Sequence, residues 1–428
     1  MIIIVIIHLN VIWYMDSRLF KCVILFSVAL CALGCNEARI TGDSTTEDYS
    51  APDYNNLVYD AESVLTSTEQ IQLAKINTFA FNLAKNNDFA DDGYVFSPVS
   101  VAYLLGMLSE GAAGETRAEI LNALGYDAAG QQQLNAFCSD LMNYCVHSES
   151  DKDVLEIADL AVIDNAFAIK ENYRNSIKES YGAEIASKSF SAENIPAYIN
   201  DWVHQKTHSR ISHILDTVDP SSFAIFLNAL YFKGFWKAPF AEAATRDALF
   251  GDRMVSMMSA TDAFAYCKSS TYSTLTVPYS KFFEMALILP DEGVSTKQVL
   301  SSLDGVKWAE MYSRLKSSRV NLWLPKFEIN TAFDMKESLQ TVGIRHLFGE
   351  HADFSLMSDS KFEISGIKHI ANISVNEGGT EAAAVSYTYR DTGNTGDGSV
   401  IDFHCDRPFL FAVVEKTTGS ILFLGCCK

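Results

Sequence analysis

Two hydrophobic periods alternate along the chain from residue 66 onward. Thr66-Ser-Thr-Glu69 has the spacing of a capping box, and Leu73, Ile76, Ala80 and Leu83 recur at helical intervals on one face, which predicts a helix beginning there. A second start stands at Ser97-Pro98, where the serine can cap orphan amides and the proline fits the first helical position. Between the helical stretches lie apolar runs suited to strands, at 223–232, 283–289, 320–324, 409–414 and 421–425. Several are apolar on both faces, which predicts central strands covered from both sides.

Length leaves the domain count open, because 428 residues with 48% apolar content can bury one large core or two ordinary ones. No internal repeat or linker interrupts residues 66–428, so one mixed α+β domain fits better than two. The N-terminus is different. Its apolar runs, 2–14 and 22–34, each fall short of the roughly 20 residues that span a bilayer. The second has the charged entry, apolar middle and small-residue exit of a secretory signal, ending Ala32-Leu33-Gly34-Cys35. That ending resembles a bacterial lipobox with Cys35 lipidated, although Ala32 stands where Leu is usual; plain secretion and a retained anchor are the alternatives. Met15 is then the better start, 1–34 the signal and 35–65 an acidic tether. The expectation is a secreted lipoprotein at a bacterial cell surface or outer membrane, with the lipid membrane as a partner through Cys35.

Charge narrows the partners. Against 33 basic residues stand 53 acidic ones, a formal net charge of −20, which argues against nucleic acid and other polyanions. Nine cysteines are present, without a CxxC pair, and those beyond Cys35 are expected to be mostly buried free thiols. Cys138 and Cys145, if on one helix, lie about 10 Å apart along its axis, too far to bond.

Enzyme signatures are missing: there is no Gly-x-Ser-x-Gly, His-Glu-x-x-His or Walker A sequence. His204, His208 and His213 have spacing that could converge on a metal, but no Glu or Cys accompanies them, and exposed helical histidines are expected instead. No metal or cofactor is predicted. Ser97, Ser100, Asn228 and His369 each lie in or beside an apolar run, where an unpaired polar group costs about 1 to 3 kcal/mol, so they are expected to bond one another.

The most informative stretch is Val375-Asn-Glu-Gly-Gly-Thr-Glu-Ala-Ala-Ala-Val-Ser386, followed by a polar loop and then Phe403-His-Cys-Asp-Arg-Pro-Phe-Leu-Phe-Ala-Val413. By propensity alone Ala382, Ala383 and Ala384 could form a helical turn. An acidic, glycine-containing turn joined to small side chains also reads as a loop built to become a strand. Both pieces resemble the serpin family, the first its reactive-centre hinge. Further landmarks occur in the family's order: Phe96-Ser-Pro-Val-Ser100, Ala102 to Thr116, Asn200-Asp-Trp-Val203, Asn228 to Trp236, Leu324-Pro-Lys-Phe327, Ala352-Asp-Phe-Ser355 and Ile364 to Ala371.

The resemblance implies a single serpin domain over 66–428, with a large central mixed sheet, two further sheets, about eight or nine helices and an exposed loop over 377–402. It implies a monomeric suicide inhibitor of serine or cysteine proteases with no catalytic groups of its own. A protease attacks the loop, forms an acyl-enzyme and is trapped as the freed hinge enters the main sheet. The hinge is Glu377, Gly378, Gly379, Thr380, Glu381, Ala382, Ala383 and Ala384; Gly378 stands where a second Glu is common. Alternation puts Thr380, Ala382, Ala384, Ser386 and Thr388 on one face of the inserted strand and Glu381 on the other. Ser97, Ser100, Asn228 and His369 correspond to the shutter under the sheet, and Trp236 to the breach at its top.

Family spacing places the attacked bond at Gly393-Asn394, with Arg390-Asp391 as the chemical alternative. The segment resembling the polyanion-activated region, 134–153, is acidic, so sulfated polysaccharide is not an expected partner. Two rival functions remain: a non-inhibitory serpin serving storage, chaperone-like or carrier roles, and a carbohydrate- or peptide-binding surface lipoprotein.

Overall fold

The computed structural model describes residues 52–86, 93–146, 153–219, 222–279, 282–361, 364–380 and 399–428. In chain order the first elements are α1 (Ser67–Lys85), β1 (Gly93–Phe96), α2 (Pro98–Gly111), α3 (Gly114–Ala123), α4 (Gln131–Val146), β2 (Val154–Asp164), α5 (Glu171–Tyr181), β3 (Glu184–Lys188) and α6 (Ile195–Lys206). Then come β4 (Ala224–Phe235), β5 (Arg246–Phe250), β6 (Arg253–Lys268), β7 (Tyr272–Pro278), β8 (Phe283–Pro290), α7 (Thr296–Ser301) and α8 (Gly305–Ser313). The last are β9 (Lys316–Pro325), β10 (Phe327–Asp334), α9 (Lys336–Thr341), β11 (Ile364–Asn376), β12 (Gly379–Thr380), β13 (Ile401–His404), β14 (Phe409–Glu415) and β15 (Ser420–Cys427).

The local signals act as read. Thr66 and Glu69 close a reciprocal capping box at the start of α1. Ser97 caps α2, with its hydroxyl accepting from the Ser100 amide and Pro98 in the first turn. All five apolar runs are strands: β4, β8, β9, β14 and β15. Residues 57–65, read from composition as the end of a tether, pack on the body. Leu57 and Leu65 are buried there, and the Val64 amide donates to the Thr417 carbonyl at 3.0 Å.

The main sheet has six strands in the order β10-β11-β12-β4-β2-β3. The other strands form one nine-stranded hydrogen-bonded path, β1-β15-β14-β8-β7-β6-β9-β13, with β5 on β6. The two further sheets of the expectation run into one another because β6 is long enough to pair β5, β7 and β9 along successive parts of its length. The α+β class and the single domain stand.

Alternation in β2 and β4 sorts the two faces of the main sheet. Leu160, Val162, Ile225, Leu227 and Ala229 pack under α6, while Ala161, Ile163, Phe226, Leu230 and Phe232 join the large core that holds α1 and α2. Side chains in phase with Phe226 and Leu230 therefore point into the deepest part of the molecule. Asn228 is one of them.

Candidate functional site

The two halves of the main sheet meet at β4 and β11. They pair directly and in parallel from Ile364 opposite Ala224 to Ala371 opposite Leu230. Beyond that point β12 lies between them, pairing Thr380 with Gly234 and Val375, and Gly379 with Phe235 and Asn376. The sheet is thus closed along part of its central seam and wedged open at one end.

Polar groups fasten the closed part. Asp159, Asn228, His369 and Phe333 stand in one register row across β2, β4, β11 and β10. The His369 ring is fully buried; its Nε2 accepts the Ser97 amide at 2.9 Å, and its Nδ1 lies 3.0 Å from Asn228 Oδ1. A backbone N–H can only donate, so Nε2 carries no proton and Nδ1–H donates to Asn228. Asn228 Nδ2 in turn donates to Asp159 Oδ1 at 2.9 Å. Burial lowers the His369 pKa to about 3, so the ring is neutral at physiological pH. Of the four residues expected to bond one another, Ser97, Asn228 and His369 are linked in sequence, while Ser100 enters through its backbone amide.

The open end is held by a second cluster. Glu377 and Gly378 form a two-residue hairpin loop joining β11 to β12. Trp236 brackets that loop: its amide donates to the Gly378 carbonyl at 3.0 Å and its indole N–H to the Asn376 carbonyl at 2.9 Å. The Trp236 ring lies flat on Tyr279, with centroids 4.3 Å apart and planes 10° from parallel. Tyr279, on the turn between β7 and β8, places its hydroxyl 2.5 Å from that of Thr380. Glu377 is clamped by Lys326 at 2.9 Å and by the Thr245 hydroxyl at 2.8 Å. Burial pushes the Glu377 carboxyl up, but bonds from Lys326, its own amide and Thr245 together hold it below the usual carboxylate value.

Gly379 is at φ +145°, and a β-carbon there would lie 2.1 Å from the Gly234 carbonyl oxygen, so only glycine fits this point of the seam. Thr380 beside it is buried. Glu381, Ala382, Ala383, Ala384 and both candidate bonds, Gly393-Asn394 and Arg390-Asp391, lie outside the described residues. The chain is described again from 399, and β13 then pairs in parallel with β9 in the other sheet. The ends of the 381–398 segment thus belong to different sheets.

Sequence reading missed Asp159, Tyr279, Lys326 and Thr245. Asp159 sits in an apolar run, Ile157 to Ile163, where a lone carboxyl was itself the signal. The other three lie at strand ends far from the hinge in sequence, and nothing local marks them. The histidines also differ from expectation: α6 ends at Lys206, so only His204 is helical, while His208 bonds Glu156 and His213 bonds Asp216. Cys138, Cys267, Cys405, Cys426 and Cys427 are buried free thiols.

Residues 74–427 match the family model described as Serpin (serine protease inhibitor). Iripin-2 of Ixodes ricinus is 29% identical over 373 residues, covering 83% of this chain and 93% of its own. Leukocyte elastase inhibitor of Sus scrofa is 31% identical over 385 residues, covering 83% and 98%. Among solved structures, human thyroxine-binding globulin complexed with thyroxine superposes with a TM-score of 0.76 at 26% identity, covering 84% of this chain and 98% of that one.

These findings correct the expectation of a bacterial lipoprotein. Relatives of this chain come from the tick Ixodes ricinus, a horseshoe crab, human, chicken, pig and the archaeon Thermococcus kodakarensis. An acyl chain needs an accessible sulfur, and the five described free cysteines are packed in the core. No described helix is long and apolar enough to cross a membrane. Cys35 itself lies outside the described residues. Lipidation at Cys35, the membrane partner and the outer-membrane or cell-surface location are withdrawn.

Proposed function

The chain belongs to the serpin family, and on that premise we propose that it traps proteases as a suicide substrate; the family is one of inhibitors, not enzymes. The observation that carries this reading is β12: the first hinge residues already lie between β4 and β11, with direct pairing of those strands beginning again farther along. A strand lengthened past Thr380 would run antiparallel to both neighbours down that seam.

In the proposed reaction the protease nucleophile attacks the Gly393 carbonyl, the bond to Asn394 breaks, and the leaving amine takes the proton. The resulting ester, or thioester for a cysteine protease, tethers the enzyme to a hinge that is free to enter the sheet. Insertion breaks the β4–β11 ladder and replaces it with two ladders. For about a dozen residues the net gain is on the order of 10 kcal/mol before apolar burial is counted. Thr380 faces the core beside Tyr279, and alternation would send Ala382, Ala384, Ser386 and Thr388 to the same side. Small side chains are what that side can admit.

The inhibitor domain extends over 66–428 with its loop at 377–402. Gly393 suits an enzyme tolerant of small residues, consistent with the relative named for leukocyte elastase. Arg390 would instead draw a trypsin-like enzyme. The rival reading, a serpin-fold carrier, draws on the likeness to thyroxine-binding globulin. Heat stability separates them: nicking the loop should raise the unfolding temperature sharply if the hinge inserts, and a nicked protein that melts with the intact one contradicts insertion.

A further inference from the structure

Asp159 is a carboxyl under the main sheet for which the trap outlined above has no use. It is 4% exposed, and one oxygen accepts from Asn228 at 2.9 Å while the other, Oδ2, has no hydrogen-bond partner among the described residues. No described cation pairs with it. An unpaired buried carboxyl is costly, so its place at the end of a directional chain of donors calls for a reason.

Direction supplies one. The Ser97 amide must donate, so His369 Nε2 accepts, Nδ1–H donates, Asn228 Oδ1 accepts and Asn228 Nδ2 donates. The chain can end only on an acceptor, and a carboxylate is the strongest one available to a side chain. Were the amide of Asn228 to turn over, its NH₂ would face the proton on His369. Asp159 and Asn228 lie on neighbouring strands of one half of the sheet, β2 and β4, whereas the Asn228–His369 bond crosses the seam to β11.

We propose that Asp159 is a positioning residue for sheet opening: its carboxylate holds the Asn228 amide toward His369, and protonation of Oδ2 weakens that hold and eases separation of β4 from β11. This rests on the seam being the place where the hinge enters. Protonation would put an O–H on the oxygen that has no partner and leave a neutral carbonyl to accept from Asn228, and neutral hydrogen bonds are roughly half as strong as charge-assisted ones. The bond across the seam then loses the polarisation that the charge gave it.

The groups facing Asp159 add no competing charge. Cys138 of α4 presents a thiol whose pKa burial, and then Asp159 itself, pushes up. Across the seam His369 is neutral, and Ser97 and Ser100, at the start of α2, carry no charge. Burial raises the Asp159 carboxyl to about 7, against the pull of the Asn228 bond, so the change falls near neutrality.

The test uses the intact protein without any protease, following its spontaneous conversion to loop-inserted monomer or polymer during mild heating between pH 5.5 and 8.5. Conversion should quicken about five-fold from the alkaline to the acid limb. Asp159→Asn keeps the acceptor oxygen but cannot ionise, so it should convert at the acid-limb rate throughout. Amide exchange at Ser97 gives a second readout: protection, corrected for intrinsic pH dependence, should fall on acidification in the parent chain and stay low in the variant. A variant that keeps the parent's pH profile, or a parent with none, overturns the proposal. Failure to trap proteases alongside an intact pH step would refute the inhibitor reading and leave this one standing.

Discussion

The hydroxyl of Thr380 lies 2.5 Å from that of Tyr279, in the core and out of reach of water, so the residue after the hinge glycines is already fastened inside the sheet. Tyr279 is itself pinned by the flat Trp236 ring. The tip of β12 is therefore held by a built contact between two side chains 101 residues apart.

Tyr279→Phe should remove this fastening with little change in packing. A buried Thr380 hydroxyl left without that partner costs about 1 to 3 kcal/mol. The denaturant midpoint should fall accordingly, and exchange of the Thr380 amide should quicken. Unchanged exchange would mean that the glycines and the Trp236 bracket hold β12 without help.

Thr380→Arg places a long cation at a position that is 1% exposed. Burying a long cation in a site filled by a threonine is costly, so the hinge should stay outside the sheet. The variant should be cleaved and turned over as a substrate. Retained trapping would remove the argument from small side chains.

The Glu377–Lys326 pair sets an acid limit on the hinge. Because the Glu377 carboxyl is held below its ordinary value of 4.5, its stabilising contribution is present above that value and is lost as pH falls through the lower folded value. Glu377 is mostly buried and Lys326 partly exposed, which limits the pair to about 1 kcal/mol or a little more. Glu377→Gln should flatten the pH dependence of stability below about pH 4.5 and destabilise only above it. A variant that loses as much stability at pH 3 as at pH 7 would show that shape, not charge, matters there.

His369→Ala strips the Ser97 amide and Asn228 Oδ1 of their shared partner. Two buried groups left unpaired, with a cavity, should cost about 3 to 5 kcal/mol and speed conversion to inserted or polymeric forms. In the folded parent the ring should show no titration by NMR from pH 5 to 8, since burial holds its pKa to about 3. A normal ring titration in that range would contradict the buried lock.

Much of this was legible beforehand because it is written locally. A capping box, Ser-Pro at a helix start and five apolar runs, several of them apolar on both faces, need only their neighbours, and each became the element it signalled. Ser97, Asn228 and His369 could be grouped because each interrupts an apolar run. Tyr279, Lys326 and Thr245 could not, since each is an ordinary residue at a strand end until the fold brings it to the hinge. Asp159 was visible as a carboxyl among apolar residues but had no partner until β2 registered against β4. The lipobox reading failed for another reason: four residues ending at Cys35 carry little information, and they outweighed a body whose relatives point elsewhere.

Protease trapping is tested by mixing the native protein with elastase-, subtilisin- and trypsin-like proteases, separating the products under denaturing conditions, and sequencing the peptide released from any complex. Trapping predicts a covalent complex with at least one of them and a released C-terminal peptide beginning at Asn394, or at Asp391 if Arg390 is the bait. If every protease that cuts the loop leaves only two noncovalent fragments, is itself released active, and gives a nicked protein no more heat-stable than the intact one, then this chain does not trap proteases.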